Sequence, residues 1–276
     1  MDFVKIPPFF GLDFSKICQA LQISKKWINS TTRVEYSFIY CNFVGKTANP
    51  KNNSIYRYME MINLCEHDSL VSRYMLELRD KDIQTDRLRF RTNVKRIGQI
   101  MAYEISKRLN YADCKTSTPL DVANTRNIAD KVVLGSIFRA GLPLHEGMLT
   151  YFDDADNAFI SAYRQYIDGS DEFEIHTEYL ASPSIDDKVL VIADPMLATG
   201  SSMEVAIKGF LQKGTPKHIH IAVVIATDQA IEYVKKTLPE GIEATLWAGD
   251  IDHILNAHSY IVPGLGDAGD LLYGEK

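Results

Sequence analysis

Apolar positions in this chain follow two periods. Across residues 68–110 they recur at helical spacing. Leu70, Tyr74 and Leu78 share one face of a first helix. Phe90, Val94, Ile97, Met101 and Ile105 form a stripe on a second, for which Thr85-Asp86 offers an N-cap. From residue 132 onward the pattern shifts to short apolar runs. Residues 132–138 read as a nearly continuous strand, and 188–193 and 219–227 as buried central ones. Residues 159–166 and 172–180 alternate more and flank Asp168-Gly169-Ser170, which predicts a hairpin. A helix follows Ser202, with apolar Met203, Val205, Ala206, Ile207, Phe210 and Leu211, and ends near Lys213-Gly214. Strands separated by helices predict an α/β fold, with a central, mostly parallel twisted sheet flanked by helices. Ligands then sit at the C-terminal ends of the strands.

The first 57 residues fit this pattern poorly. They hold eight Lys and Arg against three Asp and Glu, whereas the whole chain carries −6. Residues 14–28 form at best a weak helix, and the polar stretch at 46–54 reads as a linker. Residues 1–58 are therefore set apart from 59–276, either as a functional extension or as a product of a mis-assigned start, with Met59 or Met61 the true one.

Composition narrows the function. Apolar residues make up 46% and charged residues 24% of the 276, as in an ordinary globular protein. The negative balance gives no general case for nucleic acid or acidic membranes as partners. No apolar run approaches the roughly 18–20 residues of a membrane span. Four scattered cysteines without a CxxC give neither a zinc site nor a disulfide framework. A cytoplasmic, reduced protein is the expectation.

Three segments end where a parallel sheet puts its active edge. The first is Asp194-Pro195-Met196-Leu197-Ala198-Thr199-Gly200-Ser201-Ser202. A strand ends in a carboxylate, and a small-residue turn opens a helix whose free N–H groups and dipole suit a phosphate. The second is Arg139-Ala140-Gly141-Leu142, an arginine followed by two small residues that let backbone amides approach an anion. The third runs from Tyr260 through Gly264, Gly266, Asp267, Ala268 and Gly269 to Asp270, a tightly turned loop able to read a planar base through main-chain groups. Arg164, on the first arm of the hairpin, joins them if the arm folds over an anionic ligand. Arg87, Arg89, Arg91, Lys95 and Arg96 form a basic cluster at the start of the second helix, fit either for solvent or for an effector.

Asp-Pro-Met-Leu-Ala-Thr-Gly-x-Ser, Arg-Ala-Gly-Leu and Tyr-Ile-Val-Pro-Gly-Leu-Gly-Asp-Ala-Gly-Asp, in this order in the chain, together resemble uracil phosphoribosyltransferase. The resemblance begins near Asp68, includes Leu78-Arg79-Asp80-Lys81-Asp82, and leaves out the first 60 or so residues. The last motif is the most specific, since relatives using other bases end differently. The resemblance implies a type I phosphoribosyltransferase-like fold with a β-hairpin arm and a C-terminal base-binding loop. It implies a glycosyltransferase of pyrimidine salvage that converts uracil and 5-phosphoribosyl 1-diphosphate to UMP and diphosphate.

It also implies roles. Asp194, with Pro195, Met196 and Leu197, holds the ribose, and Ala198, Thr199, Gly200, Ser201 and Ser202 hold its 5-phosphate. Arg139 and Arg164 bind the diphosphate. Ile261, Gly266 and Ala268 face uracil, and Asp267 lies at the ribose–diphosphate side of the base. Asp194, Arg139 and Asp267 are the catalytic candidates. Magnesium is expected to arrive chelated by the sugar diphosphate, with no dedicated protein metal cage. Some members of the family are dimers or tetramers, and some are activated by GTP. Three departures stand out. Phe90 stands in the basic helix where an acidic residue is common, which counts against carrying a GTP site over. Ser201 replaces a usual glycine, which would cost about 1 kcal/mol at a positive φ or add a hydroxyl to the phosphate site. Phe138 replaces a usual leucine before Arg139. The alternative function is a non-catalytic regulator on the same scaffold that binds uridine nucleotide and RNA.

Overall fold

A computed structural model describes residues 59–166 and 173–275, apart from the side chains of 162–177. The extension, its weak helix, the Asp168-Gly169-Ser170 turn and the Arg164 side chain fall outside the described residues.

The described part opens on β1 (Met59–Asn63), α1 (Leu70–Arg79) and α2 (Arg87–Ser106). β2 (Tyr111–Ser117) and β3 (Val122–Ile128) follow, then β4 (Val132–Ile137) and α3 (Leu142–Leu149). Next come β5 (Asp156–Tyr166), β6 (Phe173–Ala181), β7 (Val189–Ala193), β8 (Met196–Leu197) and α4 (Ser201–Leu211). The chain continues through β9 (His218–Thr227), α5 (Asp228–Thr237), β10 (Ala244–Asp252), β11 (Ile254–Leu255), β12 (Ile261–Val262) and α6 (Ala268–Tyr273).

The main sheet runs β1-β10-β9-β7-β4-β5-β6, with β8 paired to β9. All its pairings are parallel except β5–β6. The central strands are largely apolar because both faces are covered. Leu134, Val191 and Val224 pack on one side with Leu78, Ile97 and Met101 from α1 and α2. Val133, Leu190 and Val223, one residue out of phase, pack on the other side with Phe210 of α4 and Val234 of α5. This arrangement brings the C-terminal ends of β4 and β7 side by side, and there the sequence motifs begin.

The stripe on α2 is buried at every expected position, and Asp86 is its N-cap, accepting N–H bonds from Leu88 and Arg89. The face expected for α1 needs correcting. Leu70 is 61% exposed, and the buried apolar residues are Val71, Met75 and Leu78. Ser69 caps this helix, so Leu70 falls in its first turn on the solvent side, and the i, i+4 pair Val71–Met75 carries the core face instead. The β2–β3 ribbon has no clear signature in the sequence. Its residues are mostly polar and almost all exposed, so no apolar alternation marks it.

Candidate active site

The turn after β7 is fastened by backbone. The Asp194 N–H donates to the Ala222 carbonyl at 3.1 Å, and the Pro195 carbonyl accepts from Val224 and Ile225 N–H at 3.0 Å each. The Thr227 hydroxyl donates to the Ala198 carbonyl at 2.7 Å while its oxygen caps α5 at Ala230 N–H. Burial pushes the Asp194 carboxyl up to about 7, against the opposing pull of a Met196 N–H bond. Leu197 turns its side chain into the core at 2% exposure, so it can serve this turn only through its backbone.

Gly200 is the N-cap of α4 and takes φ +84°, the left-handed region. A Cβ there would lie 2.9 Å from Tyr233 and 3.1 Å from the Ala230 carbonyl. Gly200 itself brings no capping side chain to α4, and the Ser201 N–H donates to the Thr199 hydroxyl at 3.4 Å. The Thr199 and Ser201 hydroxyls lie 2.9 Å apart at this opening. Ser201 is the first helical residue. Among the described residues the non-glycine positive φ values belong to Asp187 and Ser259, so the cost considered for Ser201 does not arise.

The turn after β4 carries Phe138, Arg139 and Ala140. A Cβ on Gly141 would collide with the Ala193 carbonyl, so glycine is what lets this turn lie against the end of β7. Arg139 is half-buried and reaches the Gly274 carbonyl at 3.5 Å. The Phe138 ring stacks on Phe159 and Tyr179, at centroid distances of 5.3 and 5.9 Å, one from each strand of the hairpin.

The C-terminal turn follows the buried Ile261 of β12, which pairs with Leu255. Gly264 and Gly266 have φ of +62° and +87°. Asp267 is exposed and caps α6, accepting the Asp270 N–H at 3.0 Å, a structural duty the sequence reading missed. Arg79 grips this turn from α1. Its Nη1 donates to Asp252 at 2.8 Å and to the Gly264 carbonyl at 3.0 Å. Its Nη2 donates to Asp250 at 2.7 Å and Asp252 at 2.9 Å. The Gly264 N–H donates to Asp252 at 2.8 Å. Burial alone would raise the Asp252 carboxyl, but the Arg79 and Gly264 bonds outweigh it and hold the group below its ordinary value.

The three turns meet at one cavity of about 370 Å³. Its walls are Phe138, Arg139 and Ala140; Asp194, Pro195 and Met196; and Asp267, Ala268, Gly269 and Asp270. Arg139, Asp194, Pro195, Met196, Asp267 and Ala268, all candidates from the motifs, thus line one cavity. Leu197, Ala198, Thr199, Gly200, Ser201 and Ser202 continue from the Asp194 wall into α4 without lining the cavity, and neither Ile261 nor Gly266 is on its wall. Phe138, Gly269 and Asp270 also line it; the motifs contain or adjoin them, but no role at the site was attached to them. The basic cluster on α2 is largely engaged internally. Arg89 pairs with Glu77, Arg91 donates to the Leu272 carbonyl, Lys95 pairs with Glu146, and Arg96 bonds Asn93.

Residues 65–275 match the uracil phosphoribosyltransferase family. A uracil phosphoribosyltransferase of Porphyromonas gingivalis is 56% identical over 218 residues, covering 79% of this chain and 100% of the relative. Another, of Thermococcus gammatolerans, is 34% identical over 212 residues, covering 76% of this chain and 91% of the relative. The structure of the AQ2163 protein from Aquifex aeolicus is similar with a TM-score of 0.67 and 28% identity, covering 78% of this chain and 98% of that one. The family match spans all three turns of the cavity, and with it the chain belongs to the uracil phosphoribosyltransferase family.

Proposed function

We propose that this protein joins uracil to the ribose of 5-phosphoribosyl 1-diphosphate, releasing diphosphate and forming UMP. The observation that carries the reading is the single cavity walled by a carboxylate at a strand end, an Arg-Ala-Gly turn and a glycine-rich turn. A sugar diphosphate and a small planar base need those three kinds of group at one place.

In this reading a C1′–O bond breaks, a C1′–N1 bond forms, and the N1 proton of uracil passes to water or to the departing diphosphate. Positive charge grows on the ribose while negative charge grows on the leaving diphosphate. Preorganised groups are therefore worth more than a nucleophilic side chain. Asp194 holds the ribose hydroxyls and, when ionised, faces the charge developing on the sugar. The α4 opening, from Ala198 to Ser202, takes the 5-phosphate. Arg139, and Arg164 from the arm, take the diphosphate. Ile261, Gly266 and Ala268 read uracil, and Asp267 lies between base and diphosphate. Asp194, Asp267 and Asp270 give this cavity the hard oxygen atoms that magnesium prefers. The ion, when bound with the donor, neutralises charge on the leaving diphosphate.

The test is direct. The protein is incubated with labelled uracil, the donor and Mg²⁺, with orotate, hypoxanthine and adenine as controls. UMP from uracil alone is the expected result; folded protein that makes no UMP overturns the reading.

Two finer readings accompany it, for a protein working in the cytoplasm. The β2–β3 ribbon, exposed on both faces, is a marginal structure by itself, which favours a homo-oligomer, a dimer or tetramer, in which a second copy covers it. A monomeric mass by light scattering would reject this. The start of α2 is the site assigned to a GTP effector, at a groove of about 230 Å³ that includes Arg89, Thr92 and Arg96. Rates unaffected by GTP would reject that.

A further inference from the structure

The turn that reads uracil in the reaction proposed above is poorly suited to holding its own shape. Gly264 and Gly266 both take positive φ, and glycine brings the largest backbone freedom of any residue. Its orientation has to be imposed from outside, and a specific device does so. Asp250 and Asp252 are two residues apart on β10, so their carboxylates share one face of the strand. Arg79, in the last turn of α1, bridges both. The same guanidinium donates to the Gly264 carbonyl, and the Gly264 N–H donates to Asp252. One glycine is thus held by both its donor and its acceptor, two residues before Gly266.

The clasp is largely withdrawn from water. The Arg79 side chain is 20% exposed and that of Asp252 8%. Removing one partner therefore strands a partly buried charge and costs far more than loss of a surface pair. The bonds also need a planar fork. Arg79 makes four of them to three different groups, and an ammonium cannot reproduce that geometry. Gln84 adds a bond to the Arg79 carbonyl at 3.3 Å, tying the end of α1 to the loop that follows it.

We propose that Arg79 is a positioning residue for the base. Acting through Asp252 and Gly264, it sets where the uracil-reading turn stands relative to the sugar-diphosphate site. It touches neither substrate in this account. It rests on the reading that residues 261–268 receive uracil, and it predicts a kinetic signature that general loss of stability does not share.

The experiment compares the full chain with Arg79→Met, Arg79→Lys and Asp250→Asn. Three quantities are measured: the KM for uracil, the Kd of the donor with Mg²⁺ in the absence of uracil, and amide exchange across residues 261–266. Arg79→Met and Arg79→Lys are each expected to raise the uracil KM about 10-fold or more, since a turn misplaced by an ångström is costly. Asp250→Asn, which spares the Asp252–Gly264 bond, should raise it only about 3-fold. Donor Kd should stay within about 2-fold throughout, while exchange at 261–266 accelerates. An unchanged uracil KM in the Arg79 variants overturns the proposal, and so does a donor Kd that rises in step with the uracil KM. If Arg79→Met fails to fold, Arg79→Lys and Asp250→Asn decide by the same criteria. Wild-type protein that makes no UMP would instead reject the reading of the site, a result separate from active variants with an unaltered uracil KM.

Discussion

The turn proposed to take phosphate (the phosphate turn) and the turn proposed to read the base (the base turn) border one cavity but are held by opposite means. The first is continuous in sequence, from β7 through residues 194–200 into α4. Backbone bonds to β9 and one hydroxyl, that of Thr227, fasten it. The second depends on ionised side chains from distant parts of the chain. Arg79 lies 173 residues before Asp252 and 185 before Gly264. A backbone-fastened turn tolerates most side-chain changes and fails mainly where its φ is special. A side-chain clasp fails at the charged members that hold the turn directly, here Arg79 and Asp252.

The strongest way to break this comparison is at Asp194, the side chain of the first turn that faces the reacting sugar in the proposed reaction. Asp194→Asn should lower kcat about 100-fold or more while the protein stays folded, because a charge aimed at the transition state is lost and no packing is disturbed. Circular dichroism and UMP formation check it together; near-normal turnover would remove Asp194 from the site. Next in size is Gly200→Ala. The left-handed φ and the contact with Tyr233 should cost about 2 kcal/mol, read as a fall in Tm of about 5 °C. The donor KM should rise about 10-fold as the helix opening is re-aimed. The Arg79 variants reverse that signature by loading the defect onto uracil. Equal donor and uracil effects from both sets would erase the distinction.

The same contrast explains what the sequence could reveal. The phosphate turn was legible because its parts are neighbours: an apolar strand, Asp194, small residues and an amphipathic helix in one run. The α2 stripe was legible through its period, and Asp86 through its chemistry as a cap. Arg79 was visible only as part of a resemblance, with no duty attached, because its partners lie on β10 and beyond β12. Nothing local announces such a contact. Leu70 misled because a strong apolar residue next to a cap looks like core when the angle of entry is unknown. The β2–β3 ribbon was hidden by composition. Its strands do not bury one face in this chain, so they carry no alternating pattern.

Acidity and alkalinity should separate the two turns. The Asp194 carboxyl lies near 7 in the folded protein against an ordinary 3.8. Between those values the folded state therefore keeps a proton that the unfolded chain has lost. The stability this contributes is full below about pH 4 and disappears as pH rises through 7. Asparagine does not titrate, so the Tm of Asp194→Asn should match wild type near pH 4 and exceed it by a few degrees, about 3 °C, at pH 8. Asp252 runs the other way. Its carboxyl is held below the ordinary value, so its contribution is present above that value and is lost as pH falls through the folded one. Asp252→Asn should be less stable than wild type at neutral pH and converge with it in strong acid. Thermal melts across the pH range check both; parallel curves for the two variants would mean that the turns do not differ electrostatically.

The smallest effect expected is the most discriminating for the phosphate turn, and it concerns Ser201. A serine where glycine is usual suggests a strained position awaiting relief. The left-handed residue is Gly200, however, and Ser201 begins the helix in an ordinary conformation. Ser201→Gly therefore relieves nothing. It removes the hydroxyl that lies 2.9 Å from Thr199 and adds backbone freedom to the first turn of α4. Stability should fall by about 0.5 kcal/mol instead of rising by about 1. Because the phosphate is held in this reading chiefly by N–H groups and the helix dipole, the donor KM should change by less than about 3-fold. A gain in Tm would relocate the strained φ to residue 201. A large rise in donor KM would make this turn, like its neighbour, dependent on a side chain, and the contrast between them would fall.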